Sequence, residues 1–193
     1  MKTVYIIHRW AGKPKEPMYD WIKKELEKNN FSVIVPEMPN SEKPEIKSWV
    51  QKLNKVVNLK EEFYFIGHSI GCQTILRFIE GIEKNKIKGV VLIAPWTHLN
   101  EETLEEEGEE VIEIAKPWIE TPIDWKKVMS RIENQVVCIF SDNDPYVPLS
   151  EVDVFKNKLN AKIIIEHNKG HFDPDSKIKE NSTAVSELLK IKK

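Results

Sequence analysis

The chain has 193 residues, 40% of them hydrophobic, and a formal net charge of −2. That is the length of one domain able to bury a core, and the balanced charge offers no basic excess for nucleic acid or an anionic membrane surface. The apolar stretch at the start is too short for a signal peptide, no run reaches the length of a membrane span, and Cys72 and Cys138 both lie in apolar segments, so a reducing cytoplasmic location is expected.

Six short runs rich in β-branched residues read as buried strands: 4–7, 31–35, 63–66, 89–93, 135–140 and 162–165. Amphipathic patterns lie between most of them. Trp21, Ile22 and Leu26 share one helical face, as do Ile46, Trp49, Val50, Leu53, Val56 and Val57. A third face carries Ile75, Leu76, Phe78, Ile79 and Ile82, and the last carries Val185, Leu188 and Leu189. Strand alternating with helix predicts a mainly parallel six-stranded sheet with helices on both faces, a three-layer α/β sandwich.

Residues 97–131 are longer than a crossover needs. They open with seven glutamates between positions 101 and 110 and no cation among them. Leu104, Val111, Ile112 and Ala115 give this segment an apolar edge, and Pro117 and Pro122 punctuate it. One acidic helix, a proline turn and a second helix from about Asp124 are expected. The excursion leaves the carboxyl end of the fourth strand, which places it above the same sheet edge as residue 69. Its glutamates should face water, since burying unpaired carboxylates is costly.

Gly67-His68-Ser69-Ile70-Gly71 is a G-x-S-x-G set between an apolar strand and an apolar helix. In that context it predicts a nucleophile elbow with Ser69 at its tip. A serine nucleophile needs a base, an orienting acid and an oxyanion hole, and parallel sheets gather such groups at strand carboxyl ends. The loop after the fifth strand offers Asp142 and Asp144. Asp144 is favoured because Pro145 restricts it to an extended conformation, while Asp142 suits a turn cap. The loop after the sixth strand offers His167 and His171. His171, flanked by Gly170, completes the order Ser, Asp, His. Ile70 and Trp10 are the expected backbone oxyanion donors, with Arg9 as the alternative to Trp10. His8 and His68 read as structural hydrogen bonders. Four of the seven glycines, Gly12, Gly67, Gly71 and Gly170, fall in the three loops that would build this site. Arg9, Trp96 and Trp118 are candidate substrate-pocket residues. No metal-ligand spacing and no glycine-rich phosphate loop is present, so no cofactor or metal is expected.

The chain resembles the small single-domain serine hydrolases typified by bacterial YdeN and mammalian retinoblastoma-binding protein 9. The likeness is carried by Tyr19-Asp20-Trp21-Ile22, Val35-Pro36-Glu37-Met38-Pro39-Asn40, the elbow at 67–71, Val91-Leu92-Ile93-Ala94, Asp144-Pro145 and Gly170-His171-Phe172. It implies an α/β-hydrolase fold without the first antiparallel hairpin, and a triad falling on Ser69, Asp144 and His171. Two departures stand out: Arg9 occupies a position where such chains usually have glycine, and the insert at 97–123 is long and acidic. The expected activity is hydrolysis of a small acyl ester, thioester or amide, by a monomer or small homo-oligomer without nucleic-acid or membrane partners. The alternative is a protein-binding module that keeps the fold without the chemistry.

Overall fold

A computed structural model describes residues 2–83 and 87–191. Its centre is a six-stranded sheet of β1 (Lys2–Ile7), β2 (Phe31–Ile34), β3 (Phe63–His68), β4 (Ile87–Ile93), β5 (Val136–Ser141) and β6 (Lys162–Glu166). The strand order is β2-β1-β3-β4-β5-β6, and every pairing is parallel. Every residue of β3 and β5 is buried, which is why these runs are continuously apolar rather than alternating: helices cover both faces.

Helix α1 (Pro17–Lys28) packs with α8 (Ser182–Ile191) on one face. On the other, α2 (Ile46–Val56) packs on α3 (Ile70–Gly81), which meets α6 (Trp125–Met129), which meets α7 (Glu151–Leu159). The chain runs from β1 out to edge strand β2, then returns to pair β3 on the other side of β1. That reversal opens a crevice at the carboxyl ends of β1 and β3, the usual ligand position in such sheets.

The predicted strands agree with the observed ones to within two residues at each end. The segment after β4 differs in detail. It forms two helices, α4 (Glu101–Glu107) and α5 (Glu109–Glu120), broken at Gly108, whose φ of 99° suits glycine. Pro117 lies inside α5 rather than ending it. The carbonyl it cannot serve belongs to Glu113, which is exposed, so water can satisfy it. Helix α7 has no counterpart in the sequence reading. Its buried stripe is Glu151, Phe155 and Leu159, a narrow line that begins with a carboxylate and hides the usual apolar signal.

Candidate active site

Ser69 stands between β3 and α3 with φ 53° and ψ −122°, a conformation that a non-glycine residue holds only under constraint. The constraints are visible. Ser69 N–H donates to Ile93 O at 2.9 Å, and Cys72 N–H donates to Ser69 O at 2.9 Å. Gly71 lets α3 start directly against β1, since a Cβ there would lie 2.3 Å from Ile7 O. The serine hydroxyl oxygen accepts a hydrogen bond from Trp96 Nε1 at 3.3 Å. Trp96 is itself held by its loop: buried Glu151 accepts from the amides of Thr97 and His98 and from the Thr97 hydroxyl.

Asp144 Oδ2 lies 2.8 Å from His171 Nδ1, and both side chains are buried. A carboxylate only accepts, so Nδ1 carries the proton and Nε2 is left as the basic nitrogen. Asp144 is fixed in turn by the amides of Tyr146 and Val147, which donate to Oδ1 at 2.9 and 3.0 Å. Asp142 points elsewhere: its Oδ2 meets His167 Nδ1 at 2.6 Å, and its Oδ1 accepts from Asn168 N–H at 2.9 Å. The Asn168 amide and then His167 hold the Asp142 carboxyl below its ordinary pKa.

The loop after β1 explains how Arg9 fits where glycine was expected. Its side chain turns away, with Nε 3.3 Å from Glu16 Oε2 and one terminal nitrogen donating to Trp10 O at 3.1 Å. Arg9 N–H is committed to the Tyr19 hydroxyl at 3.1 Å. Among the described hydrogen bonds, the Trp10 and Ile70 amides have no partner, which leaves them free where Arg9 is not. His8 donates from Nδ1 to Arg9 O and accepts Met38 N–H on Nε2, and burial lowers its pKa. It is a neutral link between loops.

A cavity of about 420 Å³ opens over Ser69 and His171. Trp10, Trp96, Leu99, Leu104, Val111 and Ile114 supply its apolar wall, so α4 and α5 lie above the serine. Glu42, Glu107, Glu110, Asp173 and Asp175 outnumber Arg9 and Lys43 on its lining. Lys43 is already paired with Glu110 at 2.5 Å. The glutamates of α4 and of the start of α5 are solvent-exposed. Tyr146, also on the lining, donates to Glu107, and burial with that bond raises its pKa to about 12. Among the described residues no group of His, Cys, Asp and Glu side chains is placed to hold a metal.

Two expectations about the pocket need correction. Trp118 does not line it: the ring is buried edge-on to Trp49, and Nε1 donates to Pro44 O at 3.0 Å. Ile112 is exposed and Ile114 faces the cavity, because the break at Gly108 resets the helical phase. Nothing in the sequence marks Tyr19 or Asp173 as a site residue. Tyr19 sits one turn before the expected face of α1, and its partner is remote in sequence. Asp173 follows the histidine by two residues and resembles any surface aspartate of a loop.

Residues 4–189 match a family model described as serine hydrolase. The chain belongs to that family. It is 26% identical to YdeN of Bacillus subtilis (strain 168) over 176 residues, covering 90% of this chain and 87% of that one. It is 23% identical to the serine hydrolase RBBP9 of Rattus norvegicus, covering 91% and 84%. The crystal structure of the Bacillus subtilis ydeN gene product superposes with a TM-score of 0.85 at 22% identity, covering 99% and 98%. Est1E from Butyrivibrio proteoclasticus has the same fold, with a TM-score of 0.70 at 15% identity over 98% and 87%. The three-layer architecture is therefore that of an α/β hydrolase, and the chain is a serine hydrolase. No described helix is long and apolar enough to cross a membrane.

Proposed function

We propose that this hydrolase cleaves small acyl esters, thioesters or amides through an acyl-enzyme on Ser69. Ser69 Oγ attacks the acyl carbon and its proton passes to His171 Nε2. Asp144 holds the imidazole with Nδ1 protonated and stabilises the imidazolium that forms. The amides of Ile70 and Trp10 receive the developing oxyanion. His171 then gives the proton to the departing alcohol, thiol or amine. Water, activated by the same nitrogen, hydrolyses the acyl-enzyme and restores the serine.

The observation that carries this reading is the buried Asp144–His171 pair opening into one cavity with Ser69. The apolar wall suits a short hydrocarbon acyl group, and the acidic lining disfavours anionic ones. The test is Ser69→Ala assayed on p-nitrophenyl acetate and with a fluorophosphonate probe. Activity should fall on the order of 10⁴–10⁶-fold and labelling should vanish while the protein stays folded. Retention of most activity, or a wild-type protein that the probe does not label, overturns the proposal; the latter would favour a binding role.

A further inference from the structure

Four loops carry the proposed machinery, and one buried hydrogen-bond chain joins three of them, those after β1, β3 and β6. Arg9 N–H, after β1, donates to the Tyr19 hydroxyl at 3.1 Å. The Tyr19 oxygen lies 2.7 Å from His68 Nδ1, and His68 is the residue before the serine. His68 Nε2 lies 2.7 Å from His171 O, after β6. Both Tyr19 and His68 have no exposed surface.

The proton positions follow from the partners. A carbonyl can only accept, so His68 carries its hydrogen on Nε2. Nδ1 is then an acceptor, and the Tyr19 O–H must donate to it. The Tyr19 oxygen keeps a lone pair for Arg9 N–H. Every polar atom of the chain is thereby satisfied in one arrangement. Burial holds His68 neutral by lowering its pKa well below 6.5 and raises that of Tyr19 well above 10, so neither end of the link titrates readily.

Each end of the chain fixes backbone that the chemistry depends on. At one end it commits the Arg9 amide, which leaves the next amide, that of Trp10, for the oxyanion. At the other it pins the His171 carbonyl inside a loop whose neighbours Gly170 and Phe172 both have positive φ, 52° and 57°. A peptide in such a setting keeps its orientation only when its surroundings over-determine it. The His68 and His171 rings sit 5.3 Å apart, so a turn of that peptide would move the imidazole.

We infer that Tyr19 and His68 are positioning residues: their buried relay sets the second oxyanion donor and the His171 imidazole against Ser69 as one unit. This inference rests on the reading of Ser69 as nucleophile, and its test separates the two. Tyr19→Phe removes one oxygen and keeps the ring. His68→Gln keeps a donor for His171 O and loses the ring acceptor for Tyr19. Both would be assayed on p-nitrophenyl acetate with rates normalised to active sites titrated by the burst, so unfolded protein does not count. Each variant should lose about 10–100-fold in kcat with KM within about threefold, and fluorophosphonate labelling should slow in parallel. The double variant should be no slower than the worse single one, because both break the same chain. Unchanged kcat per titrated site in either variant, or fully multiplicative losses in the double variant, overturns the relay. Wild-type protein inert to both ester and probe overturns the reading beneath it instead.

Discussion

Asp144 and His171 are 2.8 Å apart in a buried pair, while Asp142 pairs with a different histidine, His167, in a largely exposed one. Two aspartates of one turn thus serve opposite environments. A following proline biases a residue toward extended backbone, and the amides of Tyr146 and Val147 lock the Asp144 carboxylate under the imidazole. Asp144→Asn should keep these amide bonds through its carbonyl oxygen but present the wrong partner to Nδ1. A kcat loss on the order of 10³–10⁴ is expected. Asp142→Asn should stay within about threefold of wild type, since exposed ion pairs contribute little. Steady-state kinetics on p-nitrophenyl acetate would check both, and a larger loss in Asp142→Asn would reverse the assignment.

Much of this arrangement was legible because it is written in local chemistry. The strands are short β-branched runs, the elbow is a fixed spacing between strand and helix, and the choice of Asp144 turns on the proline beside it. What escaped was set by tertiary packing. Trp21 and Tyr19, two residues apart, point to nearly opposite sides of α1, and it is Tyr19 that is fully buried with Ile22 and Leu26, its hydroxyl meeting His68. Trp96 and Trp118 look alike as sequence. One reaches the serine, while the other, at the foot of the excursion, packs against Trp49 with its carbonyl held by Arg77. The phase of α5 depends on where Gly108 breaks the helix, so Ile114 rather than the expected Ile112 faces the cavity.

Acid should destabilise this fold through its buried histidines. Burial lowers the pKa of both His68 and His8 in the folded state. An unfolded histidine takes up a proton near pH 6.5, where the folded one does not. Stability is therefore full above about pH 6.5 and falls as pH drops toward the depressed folded values. Each histidine contributes a slope of up to ~1.4 kcal/mol per pH unit. Urea unfolding between pH 5 and 7 should show the decline. His68→Gln should shallow it by about one histidine's share, and an unchanged slope would show that His68 titrates normally when folded.

The cavity's charge should appear in its substrate range. Asp173 is buried against the site; desolvation pushes its carboxyl up, but the Ser176 hydrogen bonds together with nearby His171 and Arg9 hold it below the ordinary value. With Glu107, Glu110, Glu42 and Asp175 nearby, an acyl chain ending in a carboxylate meets repulsion. The p-nitrophenyl monoester of succinic acid should show kcat/KM at least ~10-fold below p-nitrophenyl butyrate at low salt. The gap should narrow at ~0.5 M salt as exposed charges are screened. Equal rates at low salt would mean that Arg9, despite Glu16, dominates the field.

The excursion should act on acyl length rather than on the chemistry. Leu104, Val111 and Ile114 reach the cavity from α4 and α5, while the base of the segment is tied down elsewhere. Arg77 of α3 donates to the carbonyls of Trp118 and Thr121 at 2.9 and 2.7 Å, and Trp118 donates to Pro44. Truncation at the tip should therefore leave that anchorage intact. Leu104→Ala with Ile114→Ala removes apolar wall that an octanoyl chain can cover and an acetyl group cannot. Each methylene left in water costs ~0.8 kcal/mol, so two or so unburied methylenes raise KM roughly 10-fold. For p-nitrophenyl octanoate KM should rise by that order with kcat little changed, and for the acetate both should hold within about twofold. A matched rise for both esters would show that these side chains brace the body of the enzyme instead of covering its substrate.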